Sequence, residues 1–206
     1  MADENEALSK GERTKAKILE KAADLFTEKG YTAVSMSDVC QATNLSRGGL
    51  YRHFSSTAEM MILLMRSEQQ QADFAVQQNL GAQKSAISML NSFLTQHYRF
   101  MLSPRGRLEL AINQFAQTDE QGREENRRRI DAAVNRAAEL IRYGQAEGSF
   151  RSGNPDELAF HVIMAIGGLR STAPLLGSSK HFLKQQLNTI RSLLLTPECT
   201  DTEKAD

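Results

Sequence analysis

Cysteine is scarce in this chain: among 206 residues only Cys40 and Cys199 carry a thiol, and they lie far apart. That pattern excludes a disulfide framework and points to a reducing compartment. An excess of one charge is also lacking, because 25 lysines and arginines balance 25 aspartates and glutamates. Composition therefore gives nucleic-acid binding no support, yet does not exclude it, since phosphate contact needs only a local cationic patch. The longest largely apolar stretch, Phe160 to Leu169, contains His161 and is too short to span a bilayer. The opening segment, Met1 to Glu6, is acidic and has neither the cationic nor the apolar region of a secretion signal. A soluble cytoplasmic protein is expected. Sustained alternation of apolar and polar residues is missing, so no strand is expected. Paired metal ligands, a phosphate-cradling glycine loop and a nucleophile motif are missing too, and the four histidines form no cluster. Neither an enzyme nor a metal or cofactor site is expected.

What the chain has is a succession of helix starts. Ser9 followed by Glu12 opens a first helix that presents Ile18, Ala22, Leu25 and Phe26 on one face and stops at Gly30. Ser35 followed by Asp38 opens a second, running to about Thr43, and Ser46 caps a third, from Arg47 to about His53. Ser56 followed by Glu59 opens a longer helix to about Asn79. Further helices are predicted from about Lys84 to Leu102, from Pro104 to near Thr118, from Thr118 to Gly148, from Pro155 to about Leu176 and from Lys180 to Leu195. The tail from Thr196 is polar and reads as frayed. The fold class is all-α: three short helices forming a head over residues 9–56, then about six longer ones forming a body over 57–196.

The stretch from Ser35 to Phe54 is a short helix, a turn at Asn44 and Leu45, and a second short helix. Asn44 suits a left-handed backbone, and Leu45, Val39, Ala42 and Leu50 supply the apolar seam. A generic helical hairpin explains those features equally well. It does not explain Gly48 and Gly49 in the first turn of a helix, where each costs up to about 1 kcal/mol relative to alanine. Such a weak start suits a backbone that approaches another surface closely. Arg47 beside them has the fork that reads a guanine edge or clamps a phosphate, and Tyr51 and His53 have donors for phosphates.

The positions Ile18, Leu19, Ala22, Leu25, Phe26, Gly30 and Tyr31, then Ser35, Met36, Asp38 and Val39, then Leu45, Ser46, Arg47, Gly48, Leu50, Tyr51, His53 and Phe54 resemble the TetR family of bacterial transcription regulators. The resemblance covers about Arg13 to Met60. It implies an all-helical fold with a helix-turn-helix DNA-binding head and a variable body that dimerises and binds a small effector. It further implies a repressor that releases its operator when the effector binds. Carried onto this chain, the DNA-contacting residues are Ser35, Ser37, Ser46, Arg47, Gly48, Gly49, Tyr51, Arg52, His53 and Thr57. One departure stands out: Thr57 and Ala58 occupy the places where the family usually has a lysine and an acid. Together with the zero net charge, this motivates the alternative of a helical protein–protein adaptor that has lost DNA binding. Between Lys10 and Ser56 the local charge is only modestly positive, with eight cations against five acids.

In the body, Leu183, Leu187, Ile190 and Leu194 form a stripe on the last helix, and the helix before it is apolar on several sides. These two helices are the expected homodimer interface. A two-fold dimer would place two reading helices on successive major grooves of a near-palindromic operator. Phe93, His97, Phe100, Met101, Phe115, Tyr143, Phe160 and Met164 are candidates for lining a largely apolar effector pocket, although each also suits plain core. Arg170 is open to two partners, an anionic ligand or an acid across the dimer. The run Arg127-Arg128-Arg129 reads as a solvated helix face. Cys40 reads as packing, with redox sensing as the alternative.

Overall fold

Capping residues decide where the helices begin. In the computed structural model, which describes residues 9–81 and 84–197, nine α-helices and no strand occur among the described residues. Cys199, the acidic opening segment and most of the polar tail lie outside them. Helix α1 spans Lys10–Lys29; Ser9 Oγ accepts from the Glu12 N–H at 3.2 Å while the Glu12 carboxylate accepts from the Ser9 N–H at 2.8 Å. Helix α2, Met36–Thr43, has the same reciprocal cap between Ser35 and Asp38 and ends at Asn44, whose φ of 56° is the left-handed turn expected there. Helix α3 is Arg47–Tyr51, shorter than predicted, because the chain turns through Arg52 and His53. Helix α4 is Thr57–Gly81 and α5 is Ala86–Leu102.

Two starts differ from expectation. Proline at 104 opens a 3-10 turn, Pro104–Arg107, and α6 begins only at Leu108, running to Thr118. Helix α7, Glu120–Ala146, is capped by Asp119 rather than Thr118, because the Thr118 hydroxyl turns back to donate to the Gln114 carbonyl at 2.8 Å. Helix α8, Pro155–Leu176, has Asn154 accepting from the Asp156 N–H at 3.0 Å, and α9 is Lys180–Leu194. The head is not three short helices, since α1 has 20 residues.

Two cores hold these helices. The first joins Ile18, Phe26, Val39, Leu50 and Phe54 of the head to Met60, Met61 and Met65 of α4 and to Leu108, Ile112 and Phe115 of α6. Packing therefore runs without a break across the expected boundary between residues 56 and 57. The second core joins α5, α7, α8 and α9, and it contains Leu183, Leu187, Ile190 and Leu194. The stripe expected to meet a partner subunit thus faces its own chain. What α8 and α9 leave exposed is a different set: Phe160, Met164, Leu175 and Leu176, with Phe182 and Leu193. Helix α8, at 22 residues, is longer than the apolar run within it and meets the length and composition of a membrane span; here Val162, Ile163, Ile166 and Ala173 pack it into the body.

Candidate nucleic-acid interface and interior cavity

Helix α3 is positioned by two buried anchors, Leu50 and Phe54, which fix one side in the head core and leave the other free. On the free side Arg47, Gly48, Tyr51 and Arg52 are exposed, with Gly49 and His53 half-buried. Among the described residues neither Arg47 nor Arg52 has an ion-pair partner. The one acid of α2, Asp38, is already occupied: it caps α2 and holds Lys29 at 2.7 Å, and that ammonium, with Ser35, keeps its carboxyl far below the usual range. A Cβ at Gly48 would meet nothing within 4 Å. The missing side chain thus answers no crowding inside the chain.

The remaining candidates are placed less freely. The Ser35 hydroxyl is bound to Asp38, and Ser46 Oγ accepts from the Gly49 N–H at 3.1 Å. Ser37 is exposed on α2. Thr57 is half-buried, and its side chain faces the Tyr31 phenol, which burial pushes above its ordinary pKa.

A cavity of about 650 Å³ lies between α4, α5, α6, α7 and α8. Five of the eight expected lining residues are on its wall: Phe93, His97, Phe100, Tyr143 and Met164. The other three are elsewhere. Met101 is buried in the body core, Phe115 packs in the head core with its ring centroid 4.5 Å from that of Tyr31 and the rings tilted at 48°, and Phe160 is 51% exposed. The reason is rotational for two of them, since a residue one or two places along a helix lands on another face: Met101 follows the wall residue Phe100, and Phe115 comes two places after Asn113.

The wall also holds an ionic cluster that the sequence did not announce. Glu109, which is buried, accepts from Arg129 at 2.6 and 3.2 Å and lies 2.8 Å from Arg170 Nη2. Arg129 thus leaves the solvated face expected of its run, while Arg127 and Arg128 remain exposed beside Glu124. Arg170 also sits 4.0 Å over the Phe100 ring, so its carboxylate is within its own chain rather than across a dimer. Burial alone would raise the Glu109 carboxyl, but Arg129 and Arg170 outweigh it and hold it below the usual range. Burial, reinforced by Arg170, lowers His97 to about 3, so its imidazole is neutral. The signal available in the sequence was a lone carboxylate in the apolar pattern Leu108-Glu109-Leu110-Ala111-Ile112.

Helix α6 connects the two regions. Glu109 and Asn113, one turn apart, line the cavity, whereas Ile112 and Phe115 enter the head core. Gln114 goes further: its side-chain carbonyl accepts from the Tyr31 backbone N–H at 2.8 Å.

Comparison with known proteins fits this arrangement. Residues 18–64 match the model of the bacterial regulatory proteins of the tetR family. The Bacillus subtilis HTH-type transcriptional regulator YfiR is 27% identical over 146 residues, covering 70% of this chain and 71% of that one. The Staphylococcus aureus negative regulator of the biofilm operon icaADBC, IcaR, is 40% identical over 42 residues, which span 20% of this chain and 23% of that regulator. The crystal structure of a TetR-family regulator from Agrobacterium tumefaciens superposes with a TM-score of 0.79 at 14% identity, covering 90% of this chain and all of that one, and so shares its fold. With its helix-turn-helix motif and the matched segment in agreement, the head of this chain is a DNA-binding domain of the tetR-family type, on a fold shared with TetR-family regulators.

Proposed function

We propose that this protein is a cytoplasmic, homodimeric repressor that leaves a near-palindromic operator when a small molecule enters the body cavity. The observation that carries the proposal is α6, which puts Glu109 and Asn113 on the cavity wall and Gln114 on the Tyr31 N–H just beyond the end of α1. A ligand that favours one position of α6 would thereby favour one placement of the head, and it shifts the equilibrium only by its difference in affinity for the two. In this reading Arg47 reads base edges, Gly48 admits the phosphate backbone closely, and Tyr51, Arg52 and His53 fix register. Ser35 and Ser46 cap their helices first and contribute contacts second. Thr57, turned toward Tyr31, belongs to the head's packing more than to its phosphate grip. The dimer forms through the exposed side of α8 and α9, with Phe160 at its centre.

The test is fluorescence anisotropy of the purified protein on duplexes from its own upstream region, at several salt concentrations. Specific, salt-dependent binding is expected, and Arg47→Ala should lower it by about 1–3 kcal/mol with the dimer intact. Operator binding undiminished in that variant would remove Arg47 from the reading role. Absence of any salt-dependent duplex binding would favour the adaptor instead.

A further inference from the structure

Resting on the reading that the cavity receives the effector, we infer that its ligand is an amphipathic monocarboxylate, with the acid group against His97 and Arg170 and the apolar body along Phe93, Met89 and Leu140. Three observations lead there. The first is the charge balance of the inner wall. One carboxylate, Glu109, serves two guanidiniums, and all three side chains are largely buried at 4%, 17% and 13% exposure for Glu109, Arg129 and Arg170. The next acid, Glu68, is 31% exposed and reaches Arg170 only at 3.5 Å. Two buried cations thus share one buried anion and a looser, more exposed second one, and Arg170 Nε is buried with no hydrogen-bond acceptor, so a further anion would satisfy a donor that a cation could not.

The second observation is His97. Its ring is edge-on to Phe93, with centroids 4.6 Å apart, and neither ring nitrogen has a hydrogen-bond partner among the described residues. A neutral imidazole presents one N–H donor and one acceptor. Left open to a cavity wall, that donor suits a carboxylate oxygen, and the field of Arg170, opposed by Glu109 and aided by Arg129 and Arg136, strengthens the match. The third observation is the remainder of the lining, where Leu64, Met89, Leu90, Ile130, Leu140 and Val162 give the ligand an apolar body. The carboxylate competes with Glu68 for Arg170, which ties its arrival to α4 as well as to α6.

Isothermal titration of the full-length protein with decanoate, 1-decanol and decyltrimethylammonium, all below micelle-forming concentrations, tests this. The tails match and only the head group changes. Decanoate is expected to bind at least about tenfold more tightly than decanol, the strength of a charge-assisted hydrogen bond, with the ammonium weakest. That acid-to-alcohol ratio should collapse toward one in His97→Phe and in Arg170→Gln. Should Arg170→Gln fail to fold by circular dichroism, the wild-type ratio and His97→Phe decide the matter. Equal or tighter binding of decanol, preference for the ammonium, a ratio unchanged in His97→Phe, or no saturable binding of any probe overturns the inference. Anisotropy on operator DNA separates the two readings. Decanoate binding without operator release sustains the ligand class and removes the release mechanism, whereas release by decanol with no advantage for decanoate removes the ligand class alone.

Discussion

Gln114 bridges head and body: its side-chain carbonyl accepts a 2.8 Å hydrogen bond from the backbone N–H of Tyr31, just beyond the end of α1. Gly30 makes room for it. With φ at 78°, Gly30 turns the chain out of the helix, and a Cβ there would come within 2.5 Å of Gln114 Oε1. The residue that ends α1 and the residue that grips its end are therefore fitted to one another.

Replacing Gln114 by alanine should leave the half-buried Tyr31 N–H without an acceptor and cost about 1–3 kcal/mol. Gln114→Glu keeps the oxygen and should lose much less. Urea midpoints of the two variants measure the difference. The alanine variant should also show weaker operator release by any ligand that acts on wild type.

At Gly48 stability and function should part. Alanine there meets no neighbour and gains helix propensity, up to about 1 kcal/mol and less so close to a helix end. Gly48→Ala should melt in urea no earlier than wild type yet bind operator more weakly. Unchanged affinity would mean that the DNA backbone does not approach α3 at this point.

Acid should destabilise the fold in a defined window. His97 has a folded pKa of about 3 against the ordinary 6.5, so between those values the unfolded chain holds more protons and stability rises with pH. This contribution is complete above about 6.5 and lost as pH falls toward about 3. Glu109 and Glu125 are lowered as well, so their contributions are present above the ordinary 4.5 and disappear as pH falls through their folded values. Urea midpoints across this range should slope more gently in His97→Phe, with the difference largest below about 6.5.

The two sides of α8 and α9 should respond differently to substitution. Leu183 is buried in its own chain, and Leu183→Ala should cost about 2–5 kcal/mol of stability. Phe160 is 51% exposed, so Phe160→Arg should preserve helicity by circular dichroism but shift sedimentation from dimer to monomer. A Phe160→Arg protein that remains dimeric would place the interface elsewhere.

Much of this molecule was legible as sequence because its signals act over one helical turn. Ser9, Ser35, Ser46 and Asn154 cap helices through oxygen atoms that reach a backbone N–H two or three residues away, and they do so wherever the chain is placed. The cavity residues were read less well. Phe93, His97 and Phe100 share one face of α5, but nothing local tells Phe115 to enter the head core or Phe160 to face outward.

The sequence by itself determined the helical class, the head with its turn at Asn44, and the short helix that begins at Arg47. Those rest on backbone geometry, capping and apolar period, all of them local. Only the tertiary structure decided which apolar stripe of α9 is spent on its own core, and that Thr57 faces Tyr31. It also decided that Glu109 gathers Arg129 and Arg170 around the cavity. Such choices depend on how helices rotate against one another, and that is settled by the packing of residues distant along the chain.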